Sequence, residues 1–279
     1  MRKSVVWEER LVKGFLWFSV LATLGTLIII LGHIFQHGLS LISLEFLLDS
    51  PRKMGREGGI FPSIIGTLYL IAVALIIAAP VGIFAAIYLT EYTRKGRIVR
   101  AIRYSVETLA GIPSIVFGLF GFAFFVIFLG FSWSILSGGL TLAAMVLPTI
   151  IRTSEEAIKS VPTIYREGSL ALGATKWQTI YKIVLPSALP GIVTGIILSI
   201  GRAVGETAAV LLSAGSSLNL PTSVMDPARS LAVHLFILTS EGISFKMGYA
   251  TATVLIIMIL IINLAANFIM RRMSTTRAI

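Results

Sequence analysis

Five long stretches of this chain contain no Asp, Glu, Lys or Arg: residues 14–35, 63–90, 108–151, 183–201 and 247–270. About 20 mostly apolar residues in helical form cross the hydrocarbon core of a bilayer, so each run is long enough to span one. The third is about twice too long for a single crossing. Ser, Trp and Gly-Gly interrupt it near 131–140, which predicts two spans near 108–130 and 138–158. The fourth stops at Arg202 but resumes after Glu206, which predicts one helix over about 191–213. The expectation is an all-α integral membrane protein with six transmembrane helices. Composition agrees: of 279 residues 56% are hydrophobic and 13% charged, against about 25% charged in soluble domains. Mean hydropathy is +0.92. A soluble enzyme, a disordered scaffold and a secreted disulfide module are excluded; with no Cys there is neither a disulfide nor a thiolate.

The net charge of +10 would suggest nucleic acid in a soluble protein, but here the basic residues sit in short loops, where they set topology. One side collects Arg2, Lys3, Arg10, Lys13, Arg94, Lys95, Arg97, Arg100, Arg103, Arg152, Lys159, Arg166, Lys176, Lys182, Arg271, Arg272 and Arg277. The other has Arg52, Lys53, Arg56, Arg229 and Lys246. The positive-inside rule places both termini in the cytoplasm. The first run is longer than a signal core and lacks a small-residue cleavage pattern, so it reads as a retained span. Residues 230–239 are apolar but too short to cross, which predicts a re-entrant or surface helix on the external side.

Between spans four and five, residues 160–187 read SVPTIYREGSLALGATKWQTIYKIVLPS. Pro162 suits a first helical turn and Gly173 a left-handed C-terminal cap. Thr175 with Gln178 makes a capping-box pattern, and Pro186 is expected to end the second helix before span five. The prediction is two short helices joined by a glycine turn, with Leu170 and Leu172 at or near its tip. Glu167, Gly173, Ile183, Leu185 and Pro186 follow the spacing E-x5-G-x9-I-x-L-P. That spacing resembles the loop signature of ABC importer permeases, with Gly168-Ser169 where an Ala pair is usual. The resemblance implies a type I ABC importer permease fold and a coupling helix that docks on a cytoplasmic ATPase.

Within span five, GRAVGET places Arg202 and Glu206 four residues apart, on one face of a continuous helix. Charge at mid-membrane costs about 2.5–3.5 kcal/mol even on the mildest scale. Two readings stand: an internal ion pair that locks the bundle, or a polar face on a substrate path. In the second, the planar fork of Arg suits an oxyanion and Glu206 holds the guanidinium in place. Arg152, followed by Glu155 and Glu156, either snorkels or reaches the same path. Gly191-x3-Gly195 and Gly201-x3-Gly205 are small-residue patterns that let helices approach closely.

The blocks GGIFPSIIGTL, GIPSIVFGLFG, GRAVGETAAVL and LPTSVMDPARSLAVHL look like phosphate ABC importer permeases of the PstA type. That resemblance implies a heterodimer with a PstC-like permease, two PstB-like ATPase subunits and an external phosphate-binding protein, in a prokaryotic inner membrane. It also implies that Arg202, Glu206 and Arg152 attend phosphate passage. ATP and Mg are then held by the partner ATPase, since no G-x-x-x-x-G-K-[ST] loop occurs here. No cofactor or metal is expected on this chain: HIFQH, at His33 and His37, lacks the Glu of a zinc helix. The chain divides into 1–62 (N-tail, first span, external loop), a permease core at 63–270 with the coupling loop at 160–187, and a C-tail at 271–279. A permease for another oxyanion, such as sulfate or molybdate, and an intramembrane enzyme built on Arg202 and Glu206 are the competing readings.

Overall fold

The computed structural model describes residues 3–93 and 96–275. Arg2, Arg94, Lys95 and Arg277 of the charge count, and the end of the expected C-tail, lie outside the described residues. α1 (Lys3–Gly38) leads through a short α2 (Leu44–Leu48) into a two-stranded antiparallel hairpin, β1 (Pro51–Arg52) and β2 (Glu57–Gly58). α3 (Phe61–Ile87) follows and ends in a π-helical turn, Tyr88–Tyr92. Among the described residues five helices are long and apolar enough to cross a membrane, and six if one bent pair counts as a span.

That bent pair departs from the sequence reading. The third crossing was expected to start near 108. Instead α4 (Arg97–Ala110) meets α5 (Ser114–Gly121) and its π-helical continuation Phe122–Phe128 at 101°. Pro113 causes the corner: it offers no N–H and disfavours α conformation in the residue before it. α4 turns Val99, Arg103 and Val106 toward the protein while Ile98 and Tyr104 stay exposed. The fourth span is α6 (Ile135–Lys159), capped by Ser134.

A second correction concerns Pro186. The short α7 (Thr163–Ala171) and α8 (Lys176–Thr179) form the expected pair, but α8 does not stop at the proline. It continues through a π-helical turn at Ile180–Val184 into α9 (Leu185–Val204), so the fifth span covers Lys176–Val204 rather than 191–213. The wider turn relieves the clash between a proline ring and the carbonyl four residues earlier, which lets the helix pass through Pro186. α10 (Ala208–Ser213), the largely buried α11 (Leu231–Ser240) and α12 (Phe245–Thr275) follow.

Small residues set the packing. α3 and α6 run parallel along the longest seam, where a Cβ on Gly82 would lie 2.6 Å from Ile150 Cγ2 and one on Gly139 2.7 Å from Val73 Cβ. α9 lies antiparallel on α6, with Gly191 against Ala157 and Gly195 against Thr153. The second glycine pattern behaves differently: Gly201 faces open space, and Gly205 has only its own helix nearby. α1 stands apart from the core and touches α12 at one end, where His33 meets the Tyr249 ring edge-on and His37 lies tilted against it.

Candidate functional site

Arg202 and Glu206 do not share a helical face. α9 ends at Val204, so Arg202 occupies its last turn, where a cation complements the negative end of the helix dipole. Gly205 is its C-cap, and the chain restarts helically at Ala208. The Glu206 carboxylate accepts from Ala209 N–H at 3.2 Å and so caps α10. The two charges serve two helix ends, and among the described residues no ion pair joins them or engages Arg202. The lock reading of this pair and the idea that Glu206 clamps the guanidinium are both set aside. The Arg202 side chain is exposed on this chain, beside the open faces of Gly201 and Gly205. A backbone break at membrane depth survives only inside protein or along a watered cavity.

Arg152 does not pair with the two glutamates that follow it. Its Nη1 lies 3.5 Å from Glu107 Oε1 on α4. Glu155 is buried and held by Arg103 Nε at 2.7 Å and Lys159 Nζ at 2.9 Å. These groups line a 170 Å³ cavity between α4 and α6, closed on its apolar side by Leu89, Val106 and Ile151. Nothing in the sequence joins Arg103, Glu107, Glu155 and Lys159 into one cluster. The available signal was the stripe Val99–Arg103–Val106, in which one Arg occupies an inward position of an otherwise apolar face.

The turn between α7 and α8 has the predicted geometry. Gly173 has φ +85°. Its N–H donates to Leu170 O at 3.0 Å and Ala174 N–H to Ser169 O at 3.2 Å, the two bonds of a Schellman cap. Thr175 and Gln178 cap α8 reciprocally. A buried Ser169–Thr179 hydrogen bond of 2.9 Å holds the two arms together. Leu172 at the tip is 90% exposed, and Glu167 is exposed beside it. Ile164, Tyr165, Leu172 and Ile183 edge a 390 Å³ apolar groove on the outer side of this hairpin. Leu185 packs inward against Ile180 and Val184, and half-buried Pro186 sits in the first turn of α9. The five motif residues divide accordingly: Glu167 and Ile183 reach the surface, while Gly173, Leu185 and Pro186 shape the hairpin.

Known proteins share this architecture. A bacterial alginate ABC transporter, solved with an alginate-bound periplasmic protein, superimposes with a TM-score of 0.67 at 17% identity over 97% of this chain and 96% of that one. The inward-facing MetNI methionine ABC transporter gives 0.60 at 24% identity over 77% and 94%. In sequence, the probable ABC transporter permease protein YqgI of Bacillus subtilis (strain 168) is 32% identical over 277 residues, 94% of each chain. The phosphate transport system permease protein PstA 1 of Mycobacterium tuberculosis (strain ATCC 25618 / H37Rv) is 41% identical over 215 residues, 76% of this chain and 70% of that protein. Residues 78–276, from the middle of α3 onward, match one family along their whole length. By that match the chain belongs to the binding-protein-dependent transport system inner membrane components.

Proposed function

We propose that this chain is the permease subunit of an ATP-driven importer of inorganic phosphate. Its similarity to a phosphate transport system permease supports the substrate. The observation that carries the reading is Arg202: an exposed guanidinium at a helix break within an apolar segment, without an ion-pair partner among the described residues. Its fork can donate two parallel hydrogen bonds to an oxyanion, and among the described residues no carboxylate competes for it. Arg152, loosely held by Glu107, is a second cation about two helical turns away in depth. Glu206 contributes by shaping the break.

In this proposal a PstC-like permease covers the open face, two PstB-like ATPase subunits hold ATP and Mg, and an external binding protein delivers phosphate. The α7–α8 hairpin presents Leu172, Glu167 and the apolar groove to one ATPase. Both termini lie on the cytoplasmic side with that hairpin, in keeping with the Lys/Arg count. The test is radiolabelled phosphate uptake by the reconstituted complex, with sulfate and molybdate as competitors. Arg202→Gln is expected to abolish uptake in an assembled complex, and Arg202→Lys to reduce it. Wild-type uptake by Arg202→Gln, or equal competition by molybdate, would overturn the reading.

A further inference from the structure

Arg166, on the first helix of the hairpin, is the most fully engaged cation among the described residues. Nε and Nη2 both donate to Glu91 Oε1, at 3.0 and 2.8 Å. Nη1 donates to Val161 O at 2.6 Å and Nη2 also to Ile158 O at 2.8 Å. The two side chains are 19% and 11% exposed. Ile158 belongs to the last turn of α6 and Val161 lies just beyond it, where a helix leaves carbonyls without intrahelical donors. Glu91 sits in the π-helical turn that ends α3. One guanidinium therefore joins three elements: the hairpin, the end of α6 and the end of α3.

We infer that Arg166 and Glu91 form the transmission joint of this permease, through which displacement of the α7–α8 hairpin is imposed on α3 and α6 together. The inference rests on the proposed docking of an ATPase at that hairpin. Two donors converge on one Glu91 oxygen while two more bonds run to Ile158 O and Val161 O, so the planar guanidinium is pinned at three acceptors, which a point charge such as Lys does not reproduce. α3 and α6 share the longest seam of the fold, so force entering both ends at once moves them as one body. Arg166 and Glu91 are positioning residues; neither is placed against the transported anion. The surroundings favour retention of the pair, because breaking a buried ion pair leaves an uncompensated charge.

Glu91 allows the clean test, since its loss removes the α3 link and leaves Arg166 on the two α6 carbonyls. The measurements on purified complex in proteoliposomes are ATPase retained per permease, ATP hydrolysis with phosphate-loaded binding protein, and radiolabelled phosphate moved per ATP. For Glu91→Ala, ATPase retention is expected at the wild-type level and phosphate per ATP is expected to fall roughly fivefold or more. Glu91→Gln keeps an acceptor without the charge, and should fall between wild type and Glu91→Ala. An unchanged phosphate-to-ATP ratio in assembled Glu91→Ala complex overturns the joint. Should Glu91→Ala fail to assemble, the same ratio in Glu91→Gln decides, and an unchanged value again overturns it. Failure of the wild-type complex to retain an ATPase is a separate result, because it removes the docking proposal itself.

Discussion

Gly173→Val isolates the backbone of the hairpin turn from its packing. A Cβ at position 173 would meet nothing within 4 Å, so the substitution creates no clash. What it meets is φ +85°. A left-handed conformation costs an L-residue about 1–2 kcal/mol, with branched side chains at the upper end. If Val escapes to negative φ, the Gly173–Leu170 and Ala174–Ser169 bonds are lost instead, at about 0.5–1.5 kcal/mol each. Either route puts the penalty near 2 kcal/mol, enough to depopulate the native turn by about thirtyfold. Gly173→Asn, which visits the left-handed region readily, should cost much less. The assay is ATPase retention and phosphate moved per ATP for the Asn, Ala and Val variants, normalised to assembled complex. The expected order is Gly, then Asn, then Ala, then Val. Equal coupled transport by well-expressed Asn and Val variants would refute the reasoning, because a Cβ at this position meets nothing and the two differ sharply in their tolerance of positive φ.

With no ion pair between them, Arg202→Gln and Glu206→Gln should have additive effects on thermal stability, with an interaction below about 0.5 kcal/mol; a larger stabilising coupling in the double mutant would restore the lock reading. Glu206→Ala removes the cap on α10 and should cost about 0.5–2 kcal/mol in detergent-solubilised protein, with Glu206→Gln closer to wild type. Gly195→Leu, which must displace Thr153, should destabilise by about 1–3 kcal/mol, whereas Gly201→Leu on the open face should leave the isolated chain's melting unchanged. In the loop between α10 and α11, Thr222 N–H, Ser223 N–H and the Thr222 hydroxyl hold Asp226 below its ordinary value of 3.8. Its contribution is therefore complete above that value and lost as pH falls through the lowered one. Hydrogen exchange at 222–226 should accelerate on acidification in wild type, and Asp226→Asn should remove that acid-dependent part.

The crossings were legible because length and the absence of charge are local properties. The hairpin was legible for the same reason: Gly173, Thr175 and Gln178 specify their turns within a few residues. Two errors came from reading local rules where another local feature prevailed. Pro186 was taken as a stop, but the π-helical turn at Ile180–Val184 absorbs it. The four-residue spacing of Arg202 and Glu206 implied a shared face only if the helix continued through Gly205, and it does not. The corner at Pro113 was overlooked because the apolar run continues across it without a charge. The Arg166–Glu91 and Arg103–Glu155 pairs join residues far apart in the chain, and no periodicity in a single sequence records such a meeting.

The seam of Gly191 and Gly195 on Ala157 and Thr153 also works as a ruler. Backbones this close leave no room for one helix to slide along the other without steric overlap, so α6 and α9 keep a fixed offset. Thr153 lies level with Gly195, and Arg202 is seven residues farther along α9. Because the helices run antiparallel, position 152 is one residue nearer to 202 than Thr153 is, and at 1.5 Å per residue the six remaining make a difference in depth of about 9 Å. A solute that visits both must therefore take a step whose length this seam sets, whatever covers the open face of α9.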